Sequence, residues 1–292
     1  MMSLLIATFP ETHEIGKRVA HGLRAEHTKI FVEDFPDSEF HLKLKENPRD
    51  KTVVIINSIA KDPDRKLIET ILAGGVAKDY GAKKVILVAT YMPYLRQDKH
   101  FENYDSFSSK YIMGLLSQFD KIIAIDPHLH RIKQLNKLSR KAESITTNSL
   151  IAAYIKKRFK RDFTIVGPDE ESAQWSQKIA TLLKKKVVIL HKTRLSGTRI
   201  KQKEIKSKAF ANNVILIDDI ISTGKTLSGA LQMAKHQGAK KLVCIGIHGM
   251  LVNGADTLLR KHAELITTNT IPNKYAKIDI APLIVDTLKK YK

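Results

Sequence analysis

The strongest constraint in this chain is a rhythm. Brief runs of valine and isoleucine recur along its length, each followed by a longer stretch of helical period. The runs are Val53–Ile56, Val85–Val88, Ile122–Ile125, Thr164–Val166, Val187–Leu190, Val214–Ile217 and Leu242–Ile247. Their apolar residues are continuous rather than alternating, so each strand must be covered on both faces, as parallel strands joined by helical crossovers are. The spacing predicts an α/β fold of doubly wound parallel sheets. The apolar start, Met1 to Pro10, has no preceding basic segment and no small-residue cleavage site. It reads as a first strand rather than an export signal.

The rhythm also repeats as a whole. Ala77-Lys78-Asp79-Tyr80-Gly81-Ala82-Lys83-Lys84 precedes one strand, and Ala234-Lys235-His236-Gln237-Gly238-Ala239-Lys240-Lys241 precedes another, an offset of 157. Upstream, Val53-Val54-Ile55-Ile56-Asn57-Ser58-Ile59 aligns with Val214-Ile215-Leu216-Ile217-Asp218-Asp219-Ile220 at an offset of 161. The small difference falls in an intervening loop, where insertions are tolerated. A duplicated domain is expected, two tandem units of about the same size, 1–145 and 146–292, with the last residues returning to the first. A weaker echo, Glu143–Ser149 with Glu264–Thr270, is read as the end of each unit. Each repeated helix ends at a glycine, as a C-terminal cap does.

Length and composition narrow the class. A chain of 292 residues that is 43% hydrophobic buries a substantial core. No apolar run reaches the ~20 residues of a membrane-spanning helix, so no membrane association is expected. One cysteine, Cys244, makes no internal disulfide, which points to the reducing cytoplasm. The formal charge of +20 admits nucleic acid, phosphate-rich substrates or a lysine-rich solvated surface. The basic residues come in scattered pairs and triplets without interleaved aromatics, so no nucleic-acid partner is expected.

The repeat locates the chemistry. Where the second copy carries Asp218 and Asp219, the first carries Asn57 and Ser58. Ligands of open α/β sheets bind at the carboxyl ends of strands. After the acids come Ile220, Ile221, Ser222, Thr223, Gly224, Lys225 and Thr226, and then a helix expected from near Leu227. Hydroxyls and backbone N–H groups at a helix N-terminus suit a phosphate. Two adjacent acids suit vicinal hydroxyls, directly or through a metal, and a phosphate beside a diol is a pentose phosphate. Gly224-Lys225-Thr226 is not a Walker loop, because Asp219 stands where that motif needs glycine. The competing reading is a capped helix after a loop, which leaves two acids beyond an apolar strand unexplained.

This segment resembles the pentose-phosphate loop of type I phosphoribosyltransferases. Further segments resemble the short archaeal-type ribose-phosphate diphosphokinases, from about residue 4 to residue 287. Phe35-Pro36-Asp37-Ser38-Glu39 is similar to the family's F-x-D-G-E nucleotide motif, with Ser38 in place of its glycine. Arg96-Gln97-Asp98 resembles R-Q-D, although His100 to Tyr104 depart from what usually follows. Asp126-Pro127-His128 resembles D-x-H, and Val166–Ser172 resembles the second metal-binding turn. Lys192-Thr193-Arg194 resembles the catalytic K-x-R, and Lys225 stands where the phosphate loop has a second glycine.

The resemblance implies transfer of the β,γ-diphosphoryl group of ATP to the 1-hydroxyl of ribose 5-phosphate. Lys192 and Arg194 would be catalytic. Phe35, Asp37, Ser38, Glu39, Arg96, Gln97 and Asp98 would meet ATP. Arg194, Asp218, Asp219, Ser222, Thr223, Gly224, Lys225 and Thr226 would meet ribose 5-phosphate. His128 and Asp169 would each help hold Mg2+, and a homodimer or homohexamer is implied. Read without the resemblance, Phe35–Glu39 is a surface turn, His128 a hydrogen-bonded core residue, and Asp98 and Lys99 a solvated pair. Leu195–Lys208 reads as a mobile basic loop or a solvated hairpin. Two rivals remain: a phosphoribosyltransferase that consumes PRPP, and a non-catalytic regulatory homologue.

Overall fold

The computed structural model describes residues 3–129, 131, 132, 134–160, 162–190, 192–196, 199–202, 210 and 213–291. It divides into two compact units. The first comprises Met1–Thr146, Thr270–Pro272 and Ile280–Lys292, and the second Thr147–Asn269 and Asn273–Asp279.

The first unit runs β1 (Leu4–Thr8), α1 (His13–Leu23), β2 (Glu26–Asp34), β3 (Phe40–Leu44), β4 (Thr52–Ser58), α2 (Pro63–Asp79), β5 (Lys84–Tyr91), α3 (Ser108–Leu115), β6 (Lys121–Ile125) and β7 (Ala142–Ile145). Its seven-stranded sheet has the order β3-β2-β1-β4-β5-β6-β7. All neighbours are parallel except β2 and β3, which pair as an antiparallel hairpin at one edge. β4 is buried along its whole length. One sheet face packs on α2 and α3 through Ile55, Ala73, Leu87 and Met113. The other packs on α1 through Ile6, Val19, Leu23 and Val54, and there the chain's last helix, α8 (Ala281–Leu288), returns to add Ile284 and Leu288.

The second unit runs α4 (Asn148–Arg158), β8 (Phe163–Gly167), α5 (Ala173–Leu183), β9 (Val187–Ile189), β10 (Lys192–Ser196), β11 (Arg199–Gln202), β12 (Asn213–Ile221), α6 (Lys225–His236), β13 (Leu242–Gly249), α7 (Ala255–Arg260), β14 (Glu264–Thr268) and β15 (Ala276–Ile278). Six of its strands form a sheet in the order β15-β14-β13-β12-β8-β9, all parallel.

The duplication extends to register. Val53 pairs with Val85 in the first sheet, and their aligned residues Val214 and Leu242 pair in the second. The aligned helices end alike: Gly81 and Gly238 take φ values of +87° and +92°. Ala82 N–H then reaches the Ala77 carbonyl, and Ala239 N–H the Ala234 carbonyl, at 3.0 Å each. These are the crossed bonds of a helix closed by a left-handed residue, a conformation glycine adopts without strain.

One expectation is corrected and two are borne out in part. The Glu143–Ser149 and Glu264–Thr270 echo holds the ends of the two main runs, Met1–Thr146 and Thr147–Asn269, although its strands hold different ranks in their sheets. β7 is the fourth strand of the run β4-β5-β6-β7, whereas β14 is the third of β12-β13-β14-β15. Of the two readings of Leu195–Lys208, the hairpin holds over its described residues, where β10 and β11 form an antiparallel ribbon with a register shift between Arg194 and Ser196. Backbone pairing needs no apolar period, which is the signal the sequence lacked there; residues 197, 198 and 203–209 lie outside the described residues. The acid pair does not follow its strand, since β12 runs on through Asp218 and Asp219 to Ile221.

Candidate functional site

The acid pair owes its setting to unequal strand lengths. β12 pairs with β13 as far as Ile221 and Gly249, but its ladder with β8 stops at Leu216 and Val166. The last five residues of β12 thus have a strand neighbour on one side only. Leu216 packs in the core beneath α6, and Ile217 in the core beneath α4 and α5. Asp218 stays on the α6 side, near Cys244, and Ile221 at the strand end packs in the same core. Asp218 and Asp219 are buried, at 8% and 3% exposure, and the Asp219 N–H donates to Asp218 Oδ1 at 3.1 Å. Two carboxylates this well buried require donors or a cation, since burial of bare charge is costly.

The chain then turns into α6, which starts at Lys225, two residues before the expected point. Gly224 makes the turn at φ +71°, and a Cβ there would also stand 3.2 Å from Leu259 Cγ. The turn is braced from behind, with Leu251 N–H on the Ile221 carbonyl at 2.9 Å and Val252 N–H on the Ser222 carbonyl at 3.1 Å. Ser222, Thr223 and Thr226 are half-buried, and Lys225 is exposed. A twelve-residue helix therefore presents its N-terminus, three hydroxyls and an ammonium just past the two acids.

The neighbouring strands end in the other predicted residues of this unit. After β8, Asp169 Oδ1 accepts the Ser172 N–H at 2.9 Å, while the Ser172 hydroxyl donates to the Asp169 carbonyl at 2.7 Å. This turn fixes the Asp169 side chain, which is 7% exposed. Past β9, the backbone of Lys192 and Arg194 lies in the β10 strand of the ribbon; their side chains lie outside the described residues. Beneath the acids, Cys244 is buried, and burial, reinforced by the charge of Asp218, pushes its thiol pKa up.

In the first unit, the nucleotide-type segments also follow strand ends. Phe35–Glu39 is the turn of the β2–β3 hairpin, closed by Phe35 N–H on the Glu39 carbonyl at 2.8 Å. Ser38 sits at φ +73°, so the serine keeps the backbone form natural to the glycine of the related motif. All five residues are exposed, including the Phe35 ring. The base of the hairpin is held by Arg65, which pairs with Asp34, donates to buried Glu69 at 2.9 Å and stacks over Phe40.

Past β5, Arg96 and Gln97 are exposed, and the Gln97 side-chain oxygen accepts from Ser106 and Ser108. Asp98 is buried rather than solvated. Its Oδ2 accepts the Arg131 N–H at 2.6 Å and the Ile132 N–H at 3.3 Å, and its Oδ1 takes the Arg131 guanidinium at 3.0 Å. Burial, the largest single influence, raises the Asp98 pKa, yet the Arg131 backbone and side chain and the Ile132 backbone together hold it below the usual carboxylate range. Past β6, Asp126 takes φ +38° just before Pro127, a strained conformation of the kind found at functional sites. His128 follows, half-buried.

Among the described residues, no three His, Cys, Asp or Glu side chains cluster as a metal site. Arg131 and Arg65 were not flagged by sequence, because a lone arginine in a loop or on a helix carries no pattern.

The profile for the N-terminal domain of ribose phosphate pyrophosphokinase matches residues 4–120, and that for the phosphoribosyl transferase domain matches residues 136–281. The ribose-phosphate pyrophosphokinase of Methanopyrus kandleri is 29% identical, covering 98% of this chain and 99% of its own. That of Pyrococcus furiosus is 31% identical, covering 89% of this chain and 92% of its own. The crystal structure of phosphoribosylpyrophosphate synthetase from Mycobacterium smegmatis superposes with a TM-score of 0.86 at 25% identity, covering 99% of this chain and 98% of that one.

Proposed function

Because this chain belongs to the ribose-phosphate pyrophosphokinase family, we propose that it makes PRPP from ATP and ribose 5-phosphate. The observation that carries the reading is the end of β12, where two buried acids lead into a hydroxyl-rich turn at a helix N-terminus. One feature suits a sugar diol and the other its phosphate.

In this reading the 1-hydroxyl oxygen of ribose 5-phosphate bonds to the β-phosphorus of ATP. The bond from that phosphorus to the α,β-bridging oxygen breaks, AMP leaves and the hydroxyl proton is released. Such transfers depend mostly on positioning and on neutralising charge. Ser222, Thr223, Gly224, Lys225 and Thr226 hold the 5-phosphate, with Arg194. Asp218 and Asp219 take the ribose hydroxyls. Lys192 and Arg194 offset charge that grows on the transferred group. On the first unit, Phe35 offers a stacking face, Asp37, Ser38 and Glu39 polar contacts, and Arg96 and Gln97 a grip on base and phosphate.

His128 and Asp169 would each serve Mg2+. A carboxylate already oriented by Ser172 and a half-buried imidazole fit an ion that keeps few protein ligands and takes the rest from water and phosphate. When bound, the ion supplies neutralisation of phosphate charge. Action in the cytoplasm, as a homodimer or homohexamer, belongs to the same proposal. The test is to incubate the protein with ATP, ribose 5-phosphate and Mg2+ and to measure AMP and PRPP. AMP and PRPP formed in equal amounts supports the reading, and no PRPP formed at any substrate concentration defeats it. Consumption of PRPP in the presence of a free base would point instead to a phosphoribosyltransferase.

A further inference from the structure

Asp98 belongs to the nucleotide-type motif, yet its geometry faces inward. Its carboxylate is fully buried, and three donors from one loop converge on it: two backbone N–H groups and a guanidinium. Arg131 is held from its other side too, with its guanidinium 4.8 Å from the centre of the Phe101 ring. A carboxylate turned into the protein and occupied by Arg131 and Ile132 is poorly placed to meet an anionic triphosphate. What it can do is join two loops. One leaves β5 and carries Arg96 and Gln97 immediately before Asp98. The other leaves β6 and carries His128 three residues before Arg131. Among the described residues, neither loop has a helix or strand between these points.

We propose that Asp98 is a positioning residue that clips the loop after β6 to the turn after β5, setting the geometry in which Arg96, Gln97 and His128 act, without touching nucleotide itself. This rests on the nucleotide reading of Arg96 and Gln97. Loss of the clip loosens both loops at once, so binding to the first unit weakens while binding to the second does not.

The test uses the full chain as Asp98→Ala, Asp98→Asn, Arg131→Ala and the Asp98→Ala/Arg131→Ala double variant. Three quantities are measured: ATP affinity by calorimetry with Mg2+, ribose 5-phosphate affinity, and hydrogen exchange at the Arg131 and Ile132 amides without nucleotide. Asp98→Ala is expected to weaken ATP tenfold or more, to speed exchange at both amides, and to leave ribose 5-phosphate binding within twofold. The double variant should be no worse than Asp98→Ala alone, because both remove one shared contact. Asp98→Asn, which keeps an acceptor and the side-chain volume, should fall between and guards against simple misfolding. Weaker ATP binding with amide exchange unchanged would show direct nucleotide contact and overturn the proposal. Faster exchange with ATP affinity intact would overturn it equally. Should the wild-type chain bind no ATP, the nucleotide reading fails, and the exchange measurement still reports whether the clip exists.

Discussion

Ser58 donates its hydroxyl to the main-chain carbonyl of Thr270 at 2.8 Å, a bond between residues 212 positions apart. Thr90 donates to the same carbonyl at 2.7 Å. Ser58 is the residue aligned with Asp219 of the second repeat, so the first sheet closes its own strand ends with a returning piece of chain where the second keeps acids. Ser58→Ala should cost about 0.5–1.5 kcal/mol, and Ser58→Ala with Thr90→Val more than either alone, because the buried carbonyl then loses both donors. Urea denaturation of the three variants checks this.

Lys192→Ala should lower kcat by roughly two to three orders of magnitude, the usual scale for removing one group that stabilises transition-state charge. Ribose 5-phosphate affinity should stay within a few-fold. Steady-state kinetics beside direct binding separates the two; a variant that keeps most of its turnover removes Lys192 from the mechanism.

Asp218→Asn and Asp219→Asn should each weaken ribose 5-phosphate by about ten- to a hundredfold, the scale of losing a charged hydrogen bond. Titration of both single variants reads this, with ATP affinity as the unaffected control.

The acids were legible in the sequence because they interrupt an apolar strand at a strand end where the two repeats disagree. Their lack of a strand neighbour on the β8 side was not, because relative strand length leaves no local mark. Lys192 and Arg194 were found by resemblance alone. Asp98 was found for its motif, but nothing in Arg96-Gln97-Asp98 tells which side chain turns inward. That depends on Arg131, more than thirty residues on.

Gly246→Ala should destabilise the second unit by about 1–3 kcal/mol, the usual cost of overpacking. The added Cβ would stand 2.4 Å from Ile221 Cδ1, and Ile221 ends the strand that carries the acids. A lowered melting temperature together with a raised KM for ribose 5-phosphate is the expected pair of changes.

Within the first unit Glu143 links β7 to the returning C-terminal segment, meeting Lys290 at 2.8 Å and Lys121 at 3.2 Å. Burial raises its pKa, but Lys290 and Lys121 outweigh this and hold it below the usual glutamate value. A carboxylate depressed on folding adds stability above its unfolded pKa and loses it as pH falls through the folded one. Glu143→Gln should therefore be less stable than wild type near neutral pH, by no more than about 1 kcal/mol, with the gap closing in acid. Denaturation curves from about pH 7 to about pH 3 follow it, below the ordinary carboxylate range.

The helix that completes the first unit, Ala281–Leu288, is translated after every residue of the second unit. Until it emerges, Val19, Leu23 and their neighbours have no cover on that side. The half translated first is then the half finished last, and a nascent chain halted before residue 280 would expose a greasy strip that chaperones recognise.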